Sequence, residues 1–237
     1  MVRIDKYLAD MGKGTRTEVK KYIKSGRVRV DGNVVQRPET KVSPEQIITL
    51  DGEQLVYEEF QYYLMNKPAG IISASDDTRQ KTVVDLISDR GRRNLFPVGR
   101  LDKDTTGLLL ITDDGALAHS LLSPRHHVFK IYVAEVDGLL EEEDIRLFKE
   151  GIPLEEDWTT LPAELEILRA GEQSLARITI YEGKFHQIKR MFEAVGKPVL
   201  SLSRIAMGPL RLPEDLKEGD YRPLTDQEYE ALMKLKR

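Results

Sequence analysis

From Tyr62 onward, strand-like and helix-like segments follow one another without a regular strand–helix–strand rhythm. This irregular order constrains the fold more than any other feature. Strand candidates are 62–66, 107–112, 128–136 and 175–182; helix candidates are 82–88, 114–122, 141–149, 186–195 and 225–235. Helices spread unevenly among neighbouring strands predict an α+β domain on a mixed, mainly antiparallel β-sheet with flanking helices, rather than a doubly wound fold. At 237 residues the chain divides naturally into that domain and one smaller one. Apolar residues at 40% suffice for a core. No apolar run approaches the ~20 residues that span a bilayer, and Met1-Val2-Arg3-Ile4-Asp5 does not open like a secretory leader. Cysteine is absent, which excludes disulfides, thiolate nucleophiles and cysteine-held metal. The expectation is a soluble, cytoplasmic protein, with a monomer as the default.

The net charge of −4 hides an asymmetry. Residues 1–53 hold eleven Lys/Arg against eight Asp/Glu, and the rest of the chain holds 25 against 32. Between positions 13 and 29, Lys13, Arg16, Lys20, Lys21, Lys24, Arg27 and Arg29 face one acid, Glu18. Such a patch seeks phosphate, although the same cations also read as an ordinary solvated face.

Local structure in this stretch is readable. Ile4, Tyr7, Leu8 and Met11 carry helical spacing. Thr15 and Glu18 form a capping-box pattern before a second helix that Gly26 ends. Arg27-Val28-Arg29-Val30 alternates like a strand, and Asp31-Gly32 reads as a tight turn into the next. Residues 54–60 read as a linker after the Asp51-Gly52 turn, leaving 61–237 for the larger domain.

Three segments of that domain carry chemical groups. Gly99-Arg100-Leu101-Asp102-Lys103-Asp104-Thr105-Thr106-Gly107 packs acids and bases before an apolar strand; it also reads as a loop in which an aspartate caps backbone amides. In Glu182-Gly183-Lys184-Phe185-His186-Gln187-Ile188-Lys189-Arg190-Met191-Phe192, three cations gather at a helix N-terminus. The dipole disfavours each by ~0.3–1 kcal/mol. A carboxylate or an RNA phosphate would offset that cost. In Ser123-Pro124-Arg125-His126-His127-Val128-Phe129-Lys130-Ile131-Tyr132-Val133, alternation puts Lys130 and Tyr132 on one strand face, where a ring beside a cation suits a base or plain packing. His119, His126, His127 and His186 have no metal-ligand spacing, and nucleotide-cradling glycine motifs are missing, so neither metal nor cofactor is expected.

Residues 1–53 resemble the alpha-L RNA-binding module known from a ribosomal protein. The resemblance places Arg16, Lys20, Lys24 and Arg27 at RNA phosphates, with Lys13 in the same patch. The ordered set Leu64-Met65-Asn66-Lys67-Pro68-Ala69-Gly70, then Gly-Arg-Leu-Asp-x-Asp-Thr-Thr-Gly, Lys-x-Tyr and Glu-Gly-Lys-x-His-Gln-Ile-Lys-Arg-Met-Phe, resembles the RNA pseudouridine synthases from about residue 1 to about 230. Ser-Pro-Arg-His-His at 123–127 and His-Gln at 186–187 point to the RsuA type, which acts on small-subunit (16S) ribosomal RNA. The resemblance implies conversion of a uridine to pseudouridine without a cofactor. It makes Asp102 the essential carboxylate, with Tyr132 against the uracil and Lys189 paired with Asp102. Arg100 would fill the gap left by a flipped nucleotide, and Lys130, Lys184 and Arg190 would meet RNA. The expected partner is ribosomal RNA, naked or in a partly assembled particle. Rival readings are action on 23S RNA, a non-catalytic assembly factor, and a metal nuclease built on Asp102, Asp104, Asp113 and Asp114. For Asp113-Asp114-Gly115 a helix cap is the competing account.

Overall fold

The computed structural model describes residues 1–43, 45–55, 60–88, 94–123 and 126–236. The chain forms two compact units, Met1–Gln61 with Ile87–Leu95, and Tyr62–Leu86 with Phe96–Arg237.

In the first unit, helices Ile4–Asp10 and Arg16–Lys24 bury Ile4, Leu8, Val19 and Ile23 against Val28 and Ile48 of a four-stranded sheet. The capping box forms as the spacing predicts: the Glu18 amide donates to Thr15 Oγ1 at 3.0 Å, and the Thr15 amide to Glu18 Oε2 at 2.6 Å. Asp31 and Gly32, at φ 50° and 81°, make the two-residue turn that pairs Val30 with Asn33. Asp51 and Gly52 repeat this geometry, with Leu50 opposite Glu53. The strand Glu53–Leu55 thus continues the sheet into the stretch expected as a linker at 54–60. Leu55 is buried, and its carbonyl accepts from the Tyr7 hydroxyl at 3.2 Å. Residues 56–59 lie outside the described residues.

The second unit is an α+β domain on a nine-stranded sheet. Its main path runs Glu164–Arg169, Gln173–Ile180, Lys130–Asp137, Val199–Met207, Thr106–Thr112, Tyr62–Lys67, Tyr221–Pro223. Neighbours are antiparallel except Val199–Met207 with Thr106–Thr112, which run parallel. Helices Gly115–Leu122, Glu142–Glu150, Gln187–Ala194 and Asp226–Met233 match four of the helix candidates to within two residues at each end. The fifth, at 82–88, is one 3-10 turn, Val84–Leu86, because the Asp85 carboxylate ties back to the amide and hydroxyl of Thr82. Thr106–Thr112 is buried along nearly its whole length, as a central strand covered on both faces requires. Leu64, Leu108, Leu110, Leu117, Met207 and Leu232 form a core, and Phe148 meets Phe192 at 4.9 Å where two helices pack.

The sequence reading missed the nine-residue strand Val199–Met207. Leu200 is half exposed while Arg204 is buried, so these two positions invert the usual alternation of an otherwise ordinary strand.

Candidate active site

The Asp102 loop sits just before the central strand and is held by buried polar groups. The Thr105 amide donates to the Asp102 carbonyl at 3.1 Å, closing a turn. Ser73 Oγ donates to the Leu101 carbonyl at 2.9 Å and accepts from the Leu101 amide at 3.1 Å. Lys67, with no exposed surface, donates its ammonium to the carbonyls of Thr105 at 2.8 Å, Pro68 at 3.1 Å and Lys103 at 3.3 Å. Burial pushes the Lys67 ammonium down to about 8, against the pull of Asp104, Asp102 and Glu218. Gly107 lets the next strand approach. A Cβ there would stand 2.2 Å from the Arg204 carbonyl oxygen, and φ is 101°.

Helix Gln187–Ala194 forms a second wall. Gln187 is buried and stitches its start together, accepting from the Lys184 amide at 3.0 Å and donating to Glu182 at 2.8 Å. His186 stands before the helix in the left-handed region, φ 51°. Lys189, in the first turn, reaches both acids of the loop: its Nζ is 2.6 Å from Asp104 Oδ1 and 3.3 Å from Asp102 Oδ2. The pairing expected with Asp102 is therefore shared, and the shorter contact goes to Asp104. Burial would lower the Lys189 ammonium, but the two carboxylates outweigh it and hold it above the ordinary lysine value. The Lys189 hydrogen bond in turn holds Asp104 below the ordinary aspartate value. His186 Nε2 lies 3.6 Å from Asp102 Oδ1, beyond hydrogen-bond length.

Arg100, Asp102, Tyr132, His186, Lys189 and Arg204 line one pocket. Arg100 is exposed and Tyr132 is buried. Lys130 lies on the same strand face as Tyr132, as alternation predicts, but it is buried in the pocket and not on open surface. Lys184 and Arg190 turn to Trp158, 4.2 and 4.8 Å from the ring centroid, and Arg190 pairs with Glu155 at 2.7 Å. Lys184 and Arg190 thus share Trp158 while Lys189 turns to the loop acids, with carboxylates offsetting the dipole at Lys189 and Arg190. Asp114 departs from the nuclease set. It caps Gly115–Leu122 through the Leu117 amide at 3.1 Å and binds Lys236 at 2.7 Å. Pro124 and Arg125 of the 123–127 motif lie outside the described residues.

Lys67, Ser73 and Arg204 have no assigned role in the sequence reading, and Asp104 enters it only as a loop cap or as part of the nuclease set. Lys67 carried one signal, a charge ending an apolar strand candidate.

In the first unit Arg16, Lys20 and Lys24 are exposed along one helix. Arg27 stacks on Tyr22 at 4.3 Å and pairs with Asp51, and Lys13 pairs with Glu53 at 3.2 Å. Two of the five cations expected at phosphates are therefore already partnered.

The chain matches the family model described as RNA pseudouridylate synthase over residues 61–194 and the S4 domain model over residues 2–48. An uncharacterized RNA pseudouridine synthase of Bacillus subtilis, YtzG, is 44% identical over 98% of each chain. The ribosomal small subunit pseudouridine synthase A of Haemophilus influenzae is 40% identical over 98% of this chain and all of that one, and that of Escherichia coli is 37% identical over the same shares. A crystal structure of a pseudouridylate synthase superposes with a TM-score of 0.68 at 39% identity, covering 98% of this chain and 100% of that one. With its S4 domain, its mixed sheet and its carboxylate-bearing loop, the chain belongs to the RNA pseudouridylate synthase family.

Proposed function

We propose that this enzyme isomerises one uridine of small-subunit (16S) ribosomal RNA to pseudouridine in the cytoplasm, as a monomer, with Asp102 as the essential carboxylate. The observation that carries this reading is Asp102 on a braced loop, 3.3 Å from the Lys189 ammonium, in one pocket with Tyr132. The substrate class follows the names of the relatives, which cover nearly the whole chain.

The reaction breaks the bond between uracil N1 and ribose C1′, turns the base and rejoins it through C5. A carboxylate serves as nucleophile or as partner to a developing ribose cation, and the Lys189 ammonium stands 3.3 Å from it. A stacked base cannot reach Asp102, so the uridine leaves the helix at a cost of about a few kcal/mol. Tyr132 offers its ring to the flipped base, and exposed Arg100 fills the vacated place. Arg16, Lys20 and Lys24 follow the RNA backbone, joined by Lys13 and Arg27 when RNA displaces Glu53 and Asp51. Lys184 and Arg190 contact RNA beside Trp158.

The test is tritium release from RNA labelled at uridine C5, comparing 16S with 23S transcripts and with partly assembled small subunits, in EDTA. Release from 16S RNA or its particle alone is expected. Release from 23S alone would move the substrate to the large subunit, and silence on all of them would leave an assembly factor.

A further inference from the structure

Arg204, Lys130 and Thr105 of the pocket have no place in the mechanism so far. Arg204 is 2% exposed and stands directly opposite Tyr132 in the strand register, so both side chains leave the same face of the sheet. Its Nε donates to the Leu108 carbonyl at 2.8 Å, while Nη2 is enclosed without a hydrogen-bond partner. The Thr105 hydroxyl, also buried, has no partner either. Lys130, two residues before Tyr132 and on its face, donates to the Val128 carbonyl at 3.1 Å. Burial first, then repulsion from Arg204, pushes its ammonium down to about 8 against the pull of Glu182. Among the described residues neither cation is salt-bridged to a carboxylate.

Two enclosed like charges and an orphaned hydroxyl are costly in an empty fold. A ligand that carries negative charge at this depth would settle the cost. Phosphates run along the RNA backbone, whose place is the open rim with Arg100 and Lys184; the group that reaches Tyr132 is the base. On the reading above, the C1′–N1 bond breaks with its electron pair passing to uracil, and the charge spreads over N1, O2 and O4. After the turn, C5 bonds to C1′, the C5 hydrogen leaves as a proton and N1 takes one up. We propose that Arg204, Lys130 and the Thr105 hydroxyl form the floor that receives a uracil oxygen and stabilises the negative charge of the departing base. Such donors act without reorganisation because the fold already holds them in place.

This inference rests on the proposed function, and the experiment separates the two. The full-length protein and its Arg204→Lys variant are compared on saturating ribosomal transcripts carrying uridine or 5-fluorouridine, following consumption of the starting nucleoside in a single turnover, because the rearranged 5-fluoro base has no C5 proton to lose and takes up water at C6 instead. Fluorine stabilises the base anion without help from the protein. Arg204→Lys should slow the uridine reaction by about 10²–10³ and the 5-fluorouridine reaction at least tenfold less, with RNA affinity unchanged. Equal losses on both substrates would make Arg204 a packing residue and overturn the proposal. A defect confined to RNA affinity would assign the floor to phosphate and overturn it as well. Should Arg204→Lys not fold, Lys130→Gln and Thr105→Val carry the same comparison. Wild-type protein inert on every RNA would sink the uridine reading itself, and this floor with it.

Discussion

The two units use positive charge in opposite ways. In the first, Arg16, Lys20 and Lys24 stand in water along a helix whose apolar side builds the core. In the second, Lys67, Lys130 and Arg204 are enclosed, each donating to a named backbone carbonyl. Exposed charge is screened by salt and costs little to hold, so it suits attraction of a polyanion along a surface. Enclosed charge is expensive and barely screened; it suits fixing a loop or answering charge that appears during a reaction. Salt should therefore report on the first set, and pH on the lysines of the second.

The sharpest break between the two sets comes at Asp102, which shares its pocket with Lys130 and Arg204. Asp102→Asn keeps the shape and removes the charge, so single-turnover pseudouridine formation should vanish while RNA binding, measured by filter retention, persists. An active variant would overturn the assignment of Asp102. Lys189→Gln comes next, with an expected loss of about 10²–10³ in rate. Asp104→Asn should cost less than Lys189→Gln, because it leaves the ammonium to Asp102 alone; a larger loss would shift the chemistry to Asp104.

Lys67→Met would leave the carbonyls of Pro68, Lys103 and Thr105 without their donor and should destabilise the fold by about 1–3 kcal/mol in chemical denaturation. The pH dependence follows from the sign of the shift. Lys67 is at about 8 when folded and near the ordinary 10.5 when unfolded, so in that window the unfolded chain binds more protons. Its contribution therefore rises with pH from about 8 to 10.5. Wild-type stability should climb relative to Lys67→Met across this range, and parallel curves would contradict it. Lys189 behaves inversely. Its folded value lies above 10.5, so its contribution is full below that pH and fades as pH rises through the folded value.

The smallest effect belongs to the exposed set. Replacing Arg16, Lys20 and Lys24 together by alanine should leave folding stability within about 0.5 kcal/mol. It should also flatten the log–log salt dependence of RNA binding by roughly 0.7–0.9 for each phosphate that the protein no longer neutralises. An unchanged slope would mean that these cations form only a solvated face.

Much of the architecture was legible because its signals are local. The Thr15–Glu18 capping box, the Asp31-Gly32 turn and the helix Gln187–Ala194 each depend on residues a few positions apart, and each formed where the sequence placed it. The Asp102 and Lys189 segments, one mixing acids with bases and one mainly basic, were visible as chemical groups in search of partners, and the family resemblance ordered them. What the residue order carried was therefore the class of fold, the caps and turns, and the segments where chemistry gathers.

Folding added what long-range pairing alone can supply. The Lys189 ammonium meets a carboxylate 85 positions away. Gly107 owes its identity to the backbone of Arg204, and Arg204 owes its place opposite Tyr132 to a strand hidden by its own charge. The physical reason is burial. A lysine or arginine bound for the interior has the same side chain as one bound for the surface, and only the strands packed around Lys67, Lys130 and Arg204 take their charges out of water.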